Sequence, residues 1–158
     1  RYSPKNILQH AKMLCFMKKI SSMKNICRFI ILTRSEIMRI LEICAGSVES
    51  AIAARDGGAQ RIELCAALEV GGVTPSAGVI AEARKVEGLT LNVIIRPRGG
   101  DFLYNEYEVA CMEQDIRTCK QLGVDGVVIG ALTANGDIDT GTCRRLIYRL
   151  SRKRRHRP

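Results

Sequence analysis

From Ile40 onward, short runs rich in aliphatic and β-branched residues alternate with longer stretches of helical periodicity, and glycines mark most of the joins. The runs at about 40–44, 61–65, 92–96 and 126–130 read as strands. Ser47 is placed to N-cap a helix reaching about Arg55, which Gly57-Gly58 stops. Thr74 followed by Pro75 predicts a second helix start, with proline at the first helical position and Gly88 as the stop. A third helix is expected from about Glu106 to Leu122, with Val109, Met112, Ile116 and Cys119 on one face and Gly123 at its end, and a fourth after Asp139. Strands and helices that alternate in this way build βα units on a parallel sheet. The corner Gly58-Ala59-Gln60-Arg61-Ile62 recurs as Gly123-Val124-Asp125-Gly126-Val127, as a repeated unit would have it. Four units fill residues 40–147, whereas a closed (β/α)8 barrel takes about 250 residues. The pattern alone therefore allows either an open doubly wound sheet or half a barrel.

Within the first two strands the side chains alternate with period two. Leu41 and Ile43 share one face, with Ile40, Glu42 and Cys44 on the other; Ile62 and Leu64 share one face, with Arg61, Glu63 and Cys65 on the other. In a barrel the apolar faces meet the helices and the second set points inward. Buried carboxylates must be paired, protonated or liganded, so Glu42 and Glu63 are candidates for acid or base chemistry. Cys44 and Cys65 both end their strands, on the rim where barrel active sites lie. Two thiolates there could share a soft metal such as Cu(I); alternatively each is a small buried hydrophobe.

A third candidate follows the third strand, in Ile95-Arg96-Pro97-Arg98-Gly99-Gly100-Asp101-Phe102. Arg96 and Arg98 could grip a carboxylate or phosphate of a small anionic ligand, with Asp101 as a further acid or base. The competing reading is an internal network in which the arginines neutralise the inward carboxylates. The segment Gly71-Gly72-Val73-Thr74-Pro75 leads toward a helix start but has no Walker-type lysine, so it reads as a loop.

Charge changes the picture by its location. The net +9 divides into +8 over residues 1–39, −5 over 40–147 and +6 over 148–158. The central segment is mildly acidic, which argues against a folded nucleic-acid-binding surface. Three segments result: a basic extension over 1–37, a partial barrel over 38–147 and a basic tail over 148–158. The extension, which starts at Arg1 with Met38 just ahead of the first strand, is expected to be disordered or an artefact of the gene model, the alternative being a mitochondrial transit peptide. No apolar run approaches the roughly 20 residues of a membrane helix. Seven irregularly spaced cysteines without a secretory pattern suggest a reduced, intracellular protein. The two histidines, His10 and His156, lie in the terminal segments, so the central segment has neither a histidine base nor a histidine metal ligand.

The runs Ile40-Leu41-Glu42-Ile43-Cys44, Gly58 to Cys65, Gly71-Gly72-Val73-Thr74-Pro75-Ser76, Ile95 to Phe102 and Leu122 to Gly130 together resemble the CutC family from Met38 to about Ile147. The resemblance implies a TIM barrel of which the first four βα units are present. It also implies a cytoplasmic setting, a role in copper homeostasis, and Cu(I) held by the cysteines that match Cys44 and Cys65. Against this stand two other readings: an enzyme acting on a small anionic metabolite, and an inactive truncated product. The family's four further strands, including a Phe-His-Arg run, find no match here. A four-strand unit leaves two sheet edges exposed, which predicts self-association.

Overall fold

The computed structural model of the chain describes residues 40–151, and the basic extension, Met38, both histidines and residues 152–158 lie outside that range. The elements run β1 (Glu42–Ala45), α1 (Val48–Asp56), β2 (Arg61–Leu64), a 3-10 turn (Leu68–Val70), α2 (Ala77–Ala83), β3 (Thr90–Ile94), α3 (Glu106–Leu122), β4 (Gly126–Val128) and α4 (Thr140–Ser151). The strands form one parallel sheet in the order β1-β2-β3-β4. Each sequential pair is thus neighbouring and joined by a helix, as in the wall of a βα barrel.

Local chemistry explains where the elements begin. The Ser47 side chain accepts from the Ser50 amide at 3.1 Å while the Ser50 hydroxyl accepts from the Ser47 amide at 2.9 Å, a reciprocal cap on α1. Asn105 and Glu108 make the same exchange at the start of α3, at 3.0 and 2.8 Å. Gly123, at φ +73°, closes α3 in the left-handed conformation that glycine adopts most readily. The Asp139 carboxylate accepts from the Thr142 amide at 2.9 Å, which starts α4 where the sequence expects it.

Helix boundaries differ from the sequence reading at both ends of α2 and at the end of α4. α2 begins two residues after Pro75, because Ser76 supplies the cap to Val79 at 3.3 Å, and it ends at Ala83, five residues before Gly88. The Thr74 hydroxyl instead exchanges hydrogen bonds with the Arg96 backbone. At the other end, α4 runs past Ile147 to Ser151, so Tyr148-Arg149-Leu150-Ser151 continue a helix.

The core lies between the sheet and the helices. Ile62, Leu64, Leu91, Val93 and Ile95 point outward from the strands onto Ile80, Met112, Ile116, Cys119 and Leu146, all fully or almost fully buried. The third helix buries the face expected of it, with Glu113 added. The Glu113 side chain is 5% exposed and receives Arg145 at 2.6 Å and Arg149 at 2.9 Å, which ties α3 to α4. Burial opposes its ionisation, but the two guanidiniums outweigh this and hold its carboxyl below the usual range.

Candidate functional site

The inner face of the sheet carries the residues that the alternation of β1 and β2 assigns to it. The register sets Cys44 opposite Glu63 and Glu42 opposite Arg61. Glu42 Oε2 accepts from Arg61 Nη2 at 2.9 Å and Oε1 from Asn92 Nδ2 at 3.4 Å. Glu42 is therefore neutralised across the strands. Glu63 lies one rung nearer the rim, where its Oε2 accepts from the Cys44 thiol at 3.5 Å. Glu63 and Cys65 are both buried.

Cys44 and Cys65 share this rim: Ala45 is the register partner of Leu64, which makes the two cysteines diagonal neighbours on adjacent strands. The neighbouring Cys44, the loss of solvent and the Glu63 carboxylate all push the Cys65 thiol far above its ordinary pKa, so Cys65 is held protonated. Its thiol donates to the Glu63 carbonyl at 3.5 Å. All five cysteines in the described residues are unbridged.

A loop covers Cys65. After β2 the chain turns back so that Ala66 and Val73 bridge antiparallel, and Gly72 lies on the thiol. A Cβ on Gly72 would stand 3.3 Å from Cys65 Cβ and 3.4 Å from its Sγ, and the residue sits at φ +85°. Only glycine meets both requirements without strain. The sequence marked this glycine pair as a loop and missed its role as a cover; two consecutive glycines six and seven residues after Cys65 were the available signal.

Arg96 holds the cover in place. Its Nη1 donates to the Val70 carbonyl at 3.0 Å and the Gly72 carbonyl at 2.9 Å, and its Nη2 to Gly100 at 2.7 Å. The guanidinium also lies 4.7 Å from the centre of the Phe102 ring. Arg98 is similarly occupied. It pairs with Glu108 at 2.5 Å and Asp101 at 3.0 Å, and donates to the Gly99, Asp101 and Leu103 carbonyls. The internal-network reading thus describes both arginines, with backbone carbonyls and loop carboxylates as partners in place of the inward Glu42 and Glu63. Asp101 sits in that exposed loop, away from the other two carboxylates.

Among the described residues no set of three or more His, Cys, Asp and Glu side chains is placed to hold a metal ion. Two thiols are the donor type that a soft ion of low coordination number prefers. A separate cleft of about 340 Å³ opens on the helix side between the start of α2 and α3, lined by Thr74, Ser76, Arg96, Cys111, Asp115 and Thr118 among others. Neither Cys44 nor Cys65 lines it. No helix in the described residues is long and apolar enough to cross a membrane.

Comparison with known proteins bears on the whole arrangement. A family model described as the CutC family matches residues 39–151. A CutC family protein of Chromobacterium violaceum is 56% identical over 108 residues, which are 68% of this chain and 44% of that protein. One from Bacteroides fragilis is 57% identical over 109 residues, 68% of this chain and 43% of the relative. The crystal structure of CutC from Streptococcus agalactiae superposes with a TM-score of 0.67 at 40% identity, over 71% of this chain and 55% of that one. The chain therefore spans less than half the length of these curated relatives. With the family matched across every described element and the same framework found in a solved relative, the chain belongs to the CutC family, and residues 40–151 are the first four βα units of its TIM barrel.

Proposed function

We propose that this chain acts in copper homeostasis by taking up Cu(I) through the thiolates of Cys44 and Cys65. The observation that carries the reading is the placement of two cysteines at the ends of adjacent strands, with the Glu63 carboxylate accepting from the Cys44 thiol at 3.5 Å. The copper-homeostasis name of the Streptococcus agalactiae relative points the same way. Cu(I) prefers soft sulfur ligands, and binding replaces the thiol protons. Glu63 accepts from one thiol already, which suits it to receive a proton as the metal enters. The metal here is cargo, and the unbridged thiols fit a reducing cytoplasm.

The competing reading is a small-anion enzyme built on Arg96 and Arg98, with Glu42, Glu63 or Asp101 as acid or base; loop carbonyls and carboxylates already take most of the donors of these two guanidiniums. The test is competition titration with a Cu(I) chelator, under reducing conditions, on the folded chain and on the Cys44→Ser/Cys65→Ser double variant. The folded state is checked first, because an unfolded chain with seven thiols also binds Cu(I). Loss of tight binding in the variant is expected. Unchanged affinity would remove the reading.

A further inference from the structure

The cleft between α2 and α3 lies apart from the thiol pair, and its walls come from the second and third βα units. α2 packs between α1 and α3, and α3 between α2 and α4, so helices on both sides hold the walls in place. Neither β1 nor β4 lines it. The lining is of two kinds. Pro75 and Ile80 make an apolar wall, while Cys111, Asp115 and Thr118 bring a thiol, a carboxylate and a hydroxyl from one face of α3.

Asp115 is the one acidic side chain among the described residues that line the cleft, and it makes no ion pair with any of the described residues. Burial pushes its carboxyl above the usual carboxylate range, and the Thr74 hydroxyl offsets this only in part. Glu113, two positions earlier on the same helix, shows what is missing. It is more deeply buried, yet the guanidiniums of Arg145 and Arg149 hold its carboxyl below that range. The one base that lines the cleft, Arg96, does not play this part for Asp115, because its guanidinium donates to the carbonyls of Val70, Gly72 and Gly100. A half-buried carboxylate without a cation carries a desolvation cost that a cationic ligand would remove.

We propose that this cleft binds a small primary ammonium ion, with Asp115 as its anionic partner, Thr118 beside it and Pro75 and Ile80 against its hydrocarbon part. The volume of about 340 Å³ is at the lower end for small-molecule sites, which suits a free amine of a few carbons. A divalent metal ion fits less well. One carboxylate and one thiol are fewer donors than it takes, and among the described residues no set of three ligating side chains is placed to hold one. An anion would meet an unneutralised carboxylate.

Cys111, exposed in the lining, reports occupancy. The experiment is pulsed alkylation of the whole reduced chain with neutral iodoacetamide at constant ionic strength in oxygen-free buffer, resolved by peptide mass spectrometry. The probes are n-butylammonium, 1-butanol and butyrate. Butylammonium is expected to slow alkylation of Cys111 saturably, by at least about threefold, because the fraction of empty cleft falls with ligand concentration. Cys143, on α4 and outside the cleft, is expected to react at an unchanged rate. The alcohol and the carboxylate are expected to protect neither. Asp115→Asn keeps the shape, removes the charge and is expected to weaken the protection by about tenfold or more. Equal slowing of Cys143, equal protection by 1-butanol, protection that survives in Asp115→Asn, or no protection at all overturns the proposal. Should the variant fail to fold, the comparison of amine, alcohol and carboxylate on the unaltered chain decides alone.

Discussion

At the scale of single residues, the alternation in β1 and β2 was legible and the partners were not. Glu42, Cys44, Glu63 and Cys65 share the inner face because side chains in a strand alternate, which a sequence displays directly. That Glu42 meets Arg61 while Glu63 meets Cys44 depends on the register between strands. The state of Cys65 follows from this neighbourhood and leads to a pH dependence. A thiol whose pKa is raised in the fold remains protonated near neutrality, so the proposed copper uptake would displace its proton. Cu(I) affinity is then expected to rise by about tenfold or more per pH unit between pH 6 and 8, as measured by chelator competition. A flat profile would show that Cys65 is not the ligand. The same shift acts on stability with the opposite slope. The folded chain keeps the neutral thiol, so stability is intact below the ordinary thiol pKa and declines as pH rises beyond it. Arg96 shows what tertiary contacts add to a residue that the sequence singles out. Replacing it by lysine leaves one compact donor for three carbonyls on two loops, and is expected to cost about 2–3 kcal/mol in denaturant unfolding. It should also speed alkylation of Cys65, measured by mass spectrometry, because the Gly72 cover loses its anchor.

At the scale of elements, caps and stops were legible wherever the signal is local. Ser47, Asn105, Gly123 and Asp139 act within three or four residues of themselves, and their helices start or end accordingly. Thr74 was misplaced because its hydroxyl bonds to Arg96, 22 positions away, and a distant partner leaves no local pattern. The pairing of β3 with β4 offers a test of register. Asn92 stands opposite Gly126, and a Cβ at Gly126 would collide with Asn92 Oδ1. Gly126→Ala is expected to destabilise the chain by about 1–3 kcal/mol in denaturant unfolding. Asn92→Ala in the same chain should recover much of that loss, since the two side chains compete for one space. Strict additivity of the two changes would mean that this register is not the one in solution.

At the scale of the whole molecule, the described residues form half of a closed architecture with a helix-to-sheet core of its own. Leu64, Val93, Met112, Ile116, Cys119 and Leu146 are all at 0% exposure. Hydrogen exchange by mass spectrometry on the whole chain is therefore expected to show protected amides in β2, β3 and α3, whose residues supply most of that core. Uniformly fast exchange there would mean that the four units do not fold on their own, and that copper binding must be sought in a longer relative.

The sequence by itself determined the βα succession, the parallel sheet, the inward set of β1 and β2 and the family, because periodicity, local caps and motif runs are written along the chain. It left open whether the sheet was open or half a barrel, since both solutions use the same local pattern. Only the tertiary structure decided that Arg96 and Arg98 bind loop carbonyls and carboxylates, that Gly72 seals Cys65 and that the Cys44 thiol donates to Glu63. Each of these depends on contacts between residues far apart in the chain, whose geometry is set by strand register and loop closure and by nothing that adjacent residues reveal.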